Sequence, residues 1–182
     1  MSMAVQKTKM LHRAVAMIAC MFAIVFASSL LCVHPAAAAE ATNLALNKTA
    51  VADSEEASSV AAGKAVDGSN STRWGSAKDA DGGAHWIYVD LGSAKTVKKA
   101  TIKWESYKAT GYKIQYATGN TAPAANSSDW KDIHMSNDRP ASLTDEITFS
   151  SPAKGRFFRL YITGFTSADP QNTVPELSLI HI

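Results

Sequence analysis

The sequence predicts an all-β protein, an antiparallel jelly-roll β-sandwich preceded by a helical signal peptide. Three observations carry that expectation. Beyond residue 40, apolar and polar residues alternate in short runs rich in β-branched and aromatic types. Turn-forming clusters separate the runs, and stretches with helical periodicity are scarce.

Taken in order, the runs 86–91, 97–104, 112–117, 130–134, 146–149 and 157–163 each read as a strand of a half-buried sheet. Between them lie Asp81 Gly82 Gly83, Gly119 Asn120 and Ser150 Ser151 Pro152, spaced as an antiparallel sandwich requires. The one helical candidate is short, 58–65, and 122–128 reads as a loop of small and polar residues. No repeat and no linker divides residues 40–182, which form one domain of ordinary size.

Residues 1–39 have the layout of a secretory signal peptide. Lys7, Lys9 and Arg13 stand without any acidic residue before the apolar run 14–33, and Pro35 and the alanines 36–39 follow. The alternatives are an uncleaved anchor, since 14–33 is near bilayer length, and a lipoprotein using Cys20 or Cys32. The alanine series at once after the run favours cleavage near Ala39 and a secreted or cell-surface protein. Both cysteines fall in the leader, so the mature chain forms no disulfide. Of 18 basic residues three also lie there, leaving 15 against 16 acidic ones, a balance that offers nothing to nucleic acid.

Four ordered stretches resemble one family: Asn43 Leu44 Ala45 Leu46 Asn47 Lys48; Ala65 Val66 Asp67 Gly68 followed by Thr72 Arg73 Trp74; Trp86 Ile87 Tyr88 Val89 Asp90 Leu91 Gly92; and Arg156 Phe157 Phe158 Arg159 Leu160. They resemble the coagulation factor 5/8 type C, or discoidin-like, domain, and within it the family 32 carbohydrate-binding modules of bacterial extracellular glycosidases. The strands at Lys103 Trp104 Glu105 and Tyr112 Lys113 Ile114 Gln115 also look like their counterparts there. The resemblance implies an eight-stranded, galactose-binding-domain-like jelly roll with a structural calcium at one end and ligand-binding loops at its rim.

Segment 64–72 packs oxygen donors around Gly68, and calcium wants six to eight oxygens. By resemblance the ligands are the carbonyls of Lys64 and Ser69, the Asp67 carboxylate, and the carbonyl and hydroxyl of Thr72, with Glu176 and the Pro175 carbonyl closing the shell. Without the resemblance, Asp67 and Gly68 read as a plain turn.

Sugars present hydroxyls beside apolar ring faces, so a site needs hydrogen-bonding groups next to an aromatic. The loops offer Glu55, Glu56, Lys78, Asp79, Asp81, Glu105, Tyr107, Asn137, Asp138, Arg139 and Phe165. Glu105, Tyr107, Arg139 and Phe165 are the expected ligand-binding residues. The His, Arg and Asn set of galactose-binding members has no match at corresponding positions, which leaves the sugar open. Trp74, Trp86 and Trp104 are expected in the core, and His85 and His134, without metal-ligand spacing, at its edge or in solvent.

No pair of carboxylates is recognisable as a glycosidase pair, and Asp145 and Glu146, adjacent on a strand, point to opposite faces. Gly-x-Ser-x-Gly and a mature cysteine are both missing. The expectation is a non-catalytic module, monomeric within a larger chain and forming the amino-terminal part of an extracellular glycoside hydrolase that binds terminal sugars of host or plant polysaccharide. The alternative is a cell-surface adhesion module binding protein or lipid. Membrane binding is not expected, because the loops are alanine, serine, asparagine and aspartate rather than apolar spikes. Residues 177–182 translate CTG TCT CTT ATA CAC ATC, a transposase adapter, so the natural frame is expected to continue differently after Glu176; the same residues also alternate as a final strand.

Overall fold

The computed structural model describes residues 42–77, 83–105, 108–138, 140–165 and 176–182, so the leader and the first two residues of the Asp81 Gly82 Gly83 turn lie outside it. Seven strands form one antiparallel sheet among the described residues: β1 Thr49–Ala52, β2 Trp74–Gly75, β3 His85–Trp104, β4 Ala109–Ala117, β5 Lys131–Ser136, β6 Thr144–Phe165 and β7 Glu176–His181. Their order is β2-β7-β3-β6-β4-β5, with β1 on the other side of the first half of β3.

The frame is the β3–β6 pair. Its early half matches His85 to Ile162 through Asp90 to Phe157, and its late half matches Lys99 to Thr148 through Lys103 to Thr144. Between these halves the register shifts twice. Residues 91–94 of β3 face a single residue of β6, and residues 149–152 of β6 face a single residue of β3. Bulges of this kind bend a strand and sharpen its twist, so each long strand serves both layers of the sandwich. One layer is β1, early β3, late β6, β4 and β5; the other is late β3, early β6, β7 and β2.

The runs 86–91 and 97–104 are therefore one strand rather than two, and so are 146–149 and 157–163. Ser150 Ser151 Pro152 makes a bulge instead of a chain reversal, and Pro152, which has no N–H to donate, falls where no ladder bond is needed. The expected helix 58–65 is replaced by two 3-10 turns, Ser58–Val60 and Ala62–Ala65. Its serines and glycine do not sustain a longer helix. Among the described residues no helix is long and apolar enough to cross a membrane.

Alternation sets the core. Ile87, Val89, Leu91, Val97, Ala100, Ile102 and Trp104 from β3 join Tyr112 and Ile114 from β4 and Phe158, Leu160 and Ile162 from β6 in one cluster. The Trp104 and Tyr112 rings meet across the two layers at 5.6 Å. Trp74 is fully buried with Trp104, but Trp86 is not. The even positions of early β3 face outward, and there Trp86 stacks on Tyr88 at 5.9 Å with a 10° tilt between rings.

The Asn43–Lys48 motif joins the two ends of the domain. Asn43 Oδ1 accepts the Ala45 and Ile182 N–H groups at 3.0 and 3.3 Å, and Leu44 N–H donates to the Ile182 carbonyl at 2.7 Å. Asn47 takes the left-handed conformation, φ 55°, that asparagine tolerates.

Gly92 has φ +80° where β3 leaves the first layer, with no atom within 4 Å of an added Cβ. Gly92→Ala isolates the backbone cost and is expected to lower unfolding free energy by about 1–2 kcal/mol, with Gly92→Asn recovering part of it. Urea denaturation of both variants checks this; an unchanged midpoint for Gly92→Ala would mean that the bend does not need a left-handed residue.

Candidate functional site

Register places most connections of interest at one end of the sandwich. Ala52 pairs with Ile87, Gly75 with Glu176, Trp104 with Leu177, Lys103 with Thr144, Tyr112 with Ser136 and Ala109 with Phe165. The chain therefore turns at this end after β1, between β2 and β3, at 105–108, at 137–143 and after Phe165. Of the four expected ligand-binding residues, Glu105 and Phe165 are described and both lie here, half-buried. Tyr107 and Arg139 lie outside the described residues, as do Lys78, Asp79 and Asp81.

This end is tied from below by polar bonds. Asp53, directly after β1, accepts the Trp86 N–H at 2.8 Å, the Ser54 hydroxyl at 2.9 Å and the His85 Nδ1–H at 2.7 Å. The Trp74 indole N–H reaches the Ser54 carbonyl at 3.0 Å. Lys108 donates to the Pro140 and Ser142 carbonyls, and Trp104 N–H donates to the Leu143 carbonyl at 2.7 Å. Trp104 and Lys108 are thus both tied to residues 140–143. Tyr112, at the root of this end, donates its hydroxyl to Asp145. Burial first, and then the carboxylate beside it, push the phenol well above its ordinary range.

The carboxylates divide into used and free. Glu55 accepts the Ala62 N–H at 2.8 Å. Glu56 binds the Gly75 carbonyl only through its backbone, at 2.9 Å. The Glu56 and Glu105 carboxylates have no hydrogen-bond or ion-pair partner among the described residues. Phe165 sets its ring 5.7 Å from His85. Three polar atoms at this end, Ser76 Oγ, His85 Nε2 and Trp104 Nε1, are buried without a hydrogen-bond partner among the described residues. Trp104 was expected in the core and His85 at its edge or in solvent, whereas the burial of Ser76 was not foreseen. Asp53 and Ser76 carried no pattern of their own, and His85 fills the core edge because it starts the inward-facing series of β3.

The candidate calcium residues are gathered in part. Asp67 Oδ1 accepts the Ser69 N–H at 2.9 Å and the Thr72 hydroxyl at 2.8 Å, while the Ser69 carbonyl lies 3.4 Å from that hydroxyl. Lys64 Nζ stands 4.0 Å from Asp67 Oδ2. Gly68, at φ +81°, makes the reversal that faces Asp67 toward Thr72. Glu176 pairs through its backbone with Gly75, three residues beyond Thr72 on the neighbouring strand; Pro175 lies outside the described residues. Among the described residues no cluster of three His, Cys, Asp or Glu side chains could hold a metal ion. A donor set made of one carboxylate, a hydroxyl and carbonyls is nonetheless chemistry that suits calcium.

The outer face of the first layer carries a second small core of Ala117, Trp130 and Phe157, with Tyr88 against it. Arg159 is 3% exposed there, donating from Nε and Nη2 to Gln115 Oε1 at 2.9 and 2.6 Å. Its guanidinium lies over Trp130 at 4.2 Å and Tyr161 at 5.0 Å. Burial pushes its pKa down to about 10, leaving it charged at neutral pH.

Comparison with known proteins agrees with this architecture. Residues 64–160 match the F5/8 type C family model described as a NedA-like, galactose-binding domain. Chitosan-binding module 1 of a chitosanase/glucanase from Paenibacillus sp. IK-5 is 32% identical, with TM-score 0.66 over 78% of this chain and 98% of the module. Module 2 of that enzyme, solved with chitotriose, is 30% identical, with TM-score 0.64 over 76% of this chain and 98% of the module. The CpGH89CBM32-6 module of Clostridium perfringens shares the fold at 19% identity and TM-score 0.57, over 78% of this chain and 98% of the module. No curated protein sequence matches the chain.

Three carboxylates should govern acid stability. Burial pushes Asp53 up, but the hydrogen bonds from His85, Trp86 and Ser54 outweigh it and hold the acid below its ordinary value. Asp90 is held low first by Arg156, at 2.7 and 2.8 Å. Asp132 is pushed up by burial but held low overall by Lys113 and Gln115. A depressed folded-state pKa stabilises above the unfolded value and is lost as pH falls through the folded one. Stability is therefore expected to be flat near neutrality and to fall below about pH 4, with a shallower fall in Asp53→Asn. Denaturation midpoints between pH 7 and pH 2.5 test it; equal acid slopes for the two proteins would remove Asp53 from the explanation.

Proposed function

The chain belongs to the F5/8 type C family of galactose-binding-like domains, and on that premise we propose that it is a secreted carbohydrate-binding module that grips a glycan at its loop-bearing end. One observation carries the reading. Solved modules at 30% identity or more, matched over nearly their whole length, are chitosan-binding, and one holds chitotriose. Those relatives are binding modules of an enzyme rather than its catalytic domain, and this chain has the same role.

An amino-sugar chain presents ammonium groups, hydroxyls and apolar ring faces together. Glu56 and Glu105 supply carboxylates free of competing partners among the described residues, and Phe165 supplies a half-buried ring at the same end. Tyr107 and Arg139 belong to the same loops by sequence and complete the proposed set. The Glu105 carboxylate binds an ammonium or a pair of hydroxyls, and the Phe165 ring lies against a pyranose face.

The 64–72 loop is proposed to hold a structural calcium through Lys64, Asp67, Ser69 and Thr72, with Glu176 from β7. The ion would fix this loop against the last strand in a mature domain that has no disulfide. The module serves as the amino-terminal part of a longer extracellular glycoside hydrolase, holding the enzyme on its polysaccharide.

Calorimetric titration with chitotriose, with and without EDTA, checks both parts. Glu105→Ala is expected to weaken binding about tenfold, by the loss of a charge-assisted hydrogen bond. Unchanged affinity would remove Glu105 from the site, and no binding by the parent chain would remove amino sugars from the reading. With calcium at a hundredfold excess over its Kd, stabilisation of about 2.7 kcal/mol is expected; a melting temperature indifferent to EDTA would contradict the calcium site.

A further inference from the structure

At the opposite end of the sandwich, β4 ends at Ala117 and β5 begins at Lys131. The connection 118–130 has no helix or strand of its own. Loops of that length inside compact domains are usually functional or disordered. This one is pinned along its course. Arg156 Nη1 donates to the Asn120 carbonyl at 2.9 Å, the Trp130 indole N–H to the Ala124 carbonyl at 3.1 Å, and Arg159 Nη1 to the Ala125 carbonyl at 2.7 Å.

The pins are themselves fixed. Arg156 is held by both oxygens of Asp90, and Arg159 is buried between aromatic rings and bonded to Gln115. A buried guanidinium is costly to desolvate, and here it spends one of its donors on a loop carbonyl. Shortening the loop to a tight hairpin would remove all three bonds, so the fold is built to keep it long and in place.

Beside the pinned loop lies an open recess of about 490 Å³, within the size range of small-molecule sites. Its lining includes Tyr116, Pro123, Thr118, Thr121, Asp129 and Lys131, and of these Thr118, Thr121, Asp129 and Lys131 are exposed to solvent. The Tyr116 ring is backed by Phe158 at 6.2 Å, and Lys131 Nζ is anchored on the Ser128 carbonyl at 2.9 Å. The Asp129 backbone N–H is bonded to Ser127 Oγ at 3.1 Å, whereas its carboxylate has no partner among the described residues.

An aromatic and a proline beside two threonines, an aspartate and a lysine are residue types that suit a pyranose, which presents an apolar ring face beside several hydroxyls. We infer that the open recess at loop 118–130 is a second glycan-binding site, independent of the loop-bearing end. The two sites stand at opposite ends of β4, roughly 26 Å apart along nine residues of strand. Two sites on one rigid module engage a polysaccharide at two points, or two chains at once, and raise avidity without tightening either contact. The inference shares with the proposed function only the class of ligand.

Amide chemical shifts of the full chain, titrated separately with chitotriose, galactose and cellotriose, read the two ends independently. At least one sugar is expected to cause saturable shifts at 118–131. Asp129→Ala, an exposed position, should weaken those shifts about tenfold while leaving any at Glu105 and Phe165 unchanged, and Lys131→Ala should weaken them less. Shifts confined to the other end, no saturable shifts at 118–131 with any of the three sugars, or loop shifts indifferent to Asp129→Ala would each overturn the second site. Loss of shifts at Glu105 and Phe165 alone would instead count against the proposed function.

Discussion

The antiparallel pairing of β3 with β6 is the constraint on which the rest of the molecule depends. Each strand is long enough to supply both layers, and each has its apolar face turned to the same core in both halves. Two bulges on opposite strands convert what would be an open ribbon into a sandwich. Because the pair doubles back, the start of β3 and its end arrive at the same end of the molecule, with the start and end of β6 beside them. That is why loops from distant parts of the chain meet around Glu105 and Phe165.

Polar bonds then tie distant segments of the domain together. Asp53 joins the exit of β1 to the entry of β3, Asn43 joins the amino and carboxyl ends, and Asp90 holds Arg156 across the bend. Arg159 is the most demanding of these. Its charge is buried without a direct carboxylate partner among the described residues, and two aromatic rings, an amide oxygen and a loop carbonyl satisfy it instead. A group so costly to desolvate fixes geometry more than it adds stability.

The fold was legible where one face of a strand is buried, because alternation then shows. Runs 86–91, 112–117 and 157–163 are all strand for that reason. β1 and β2 were missed because four and two residues are too few to display a period. The bulge at 149–152 was misread as a turn, since Pro152 signals a departure from ladder geometry without saying whether the chain reverses, and the bulge at 91–94 was left as a gap between two separate runs. Trp86 was expected inside because it is large and apolar, yet strand register rather than residue type decides the face, and it lies outside with Tyr88. At the candidate site, the oxygen-rich loop around Asp67 was readable from composition. The Asp53–His85 pair was not, because its members are 32 positions apart and meet only through the β1–β3 pairing.

A crystal structure of the chain with bound chitotriose tests most directly the claim that the β3–β6 frame assembles a glycan site at its loop-bearing end. The account predicts a sugar ring against Phe165 and an ammonium or hydroxyl group within hydrogen-bonding distance of Glu105. A trisaccharide seated instead on the outer sheet face beside Trp86 and Tyr88, with the 105–108 and 137–143 loops untouched, would contradict it.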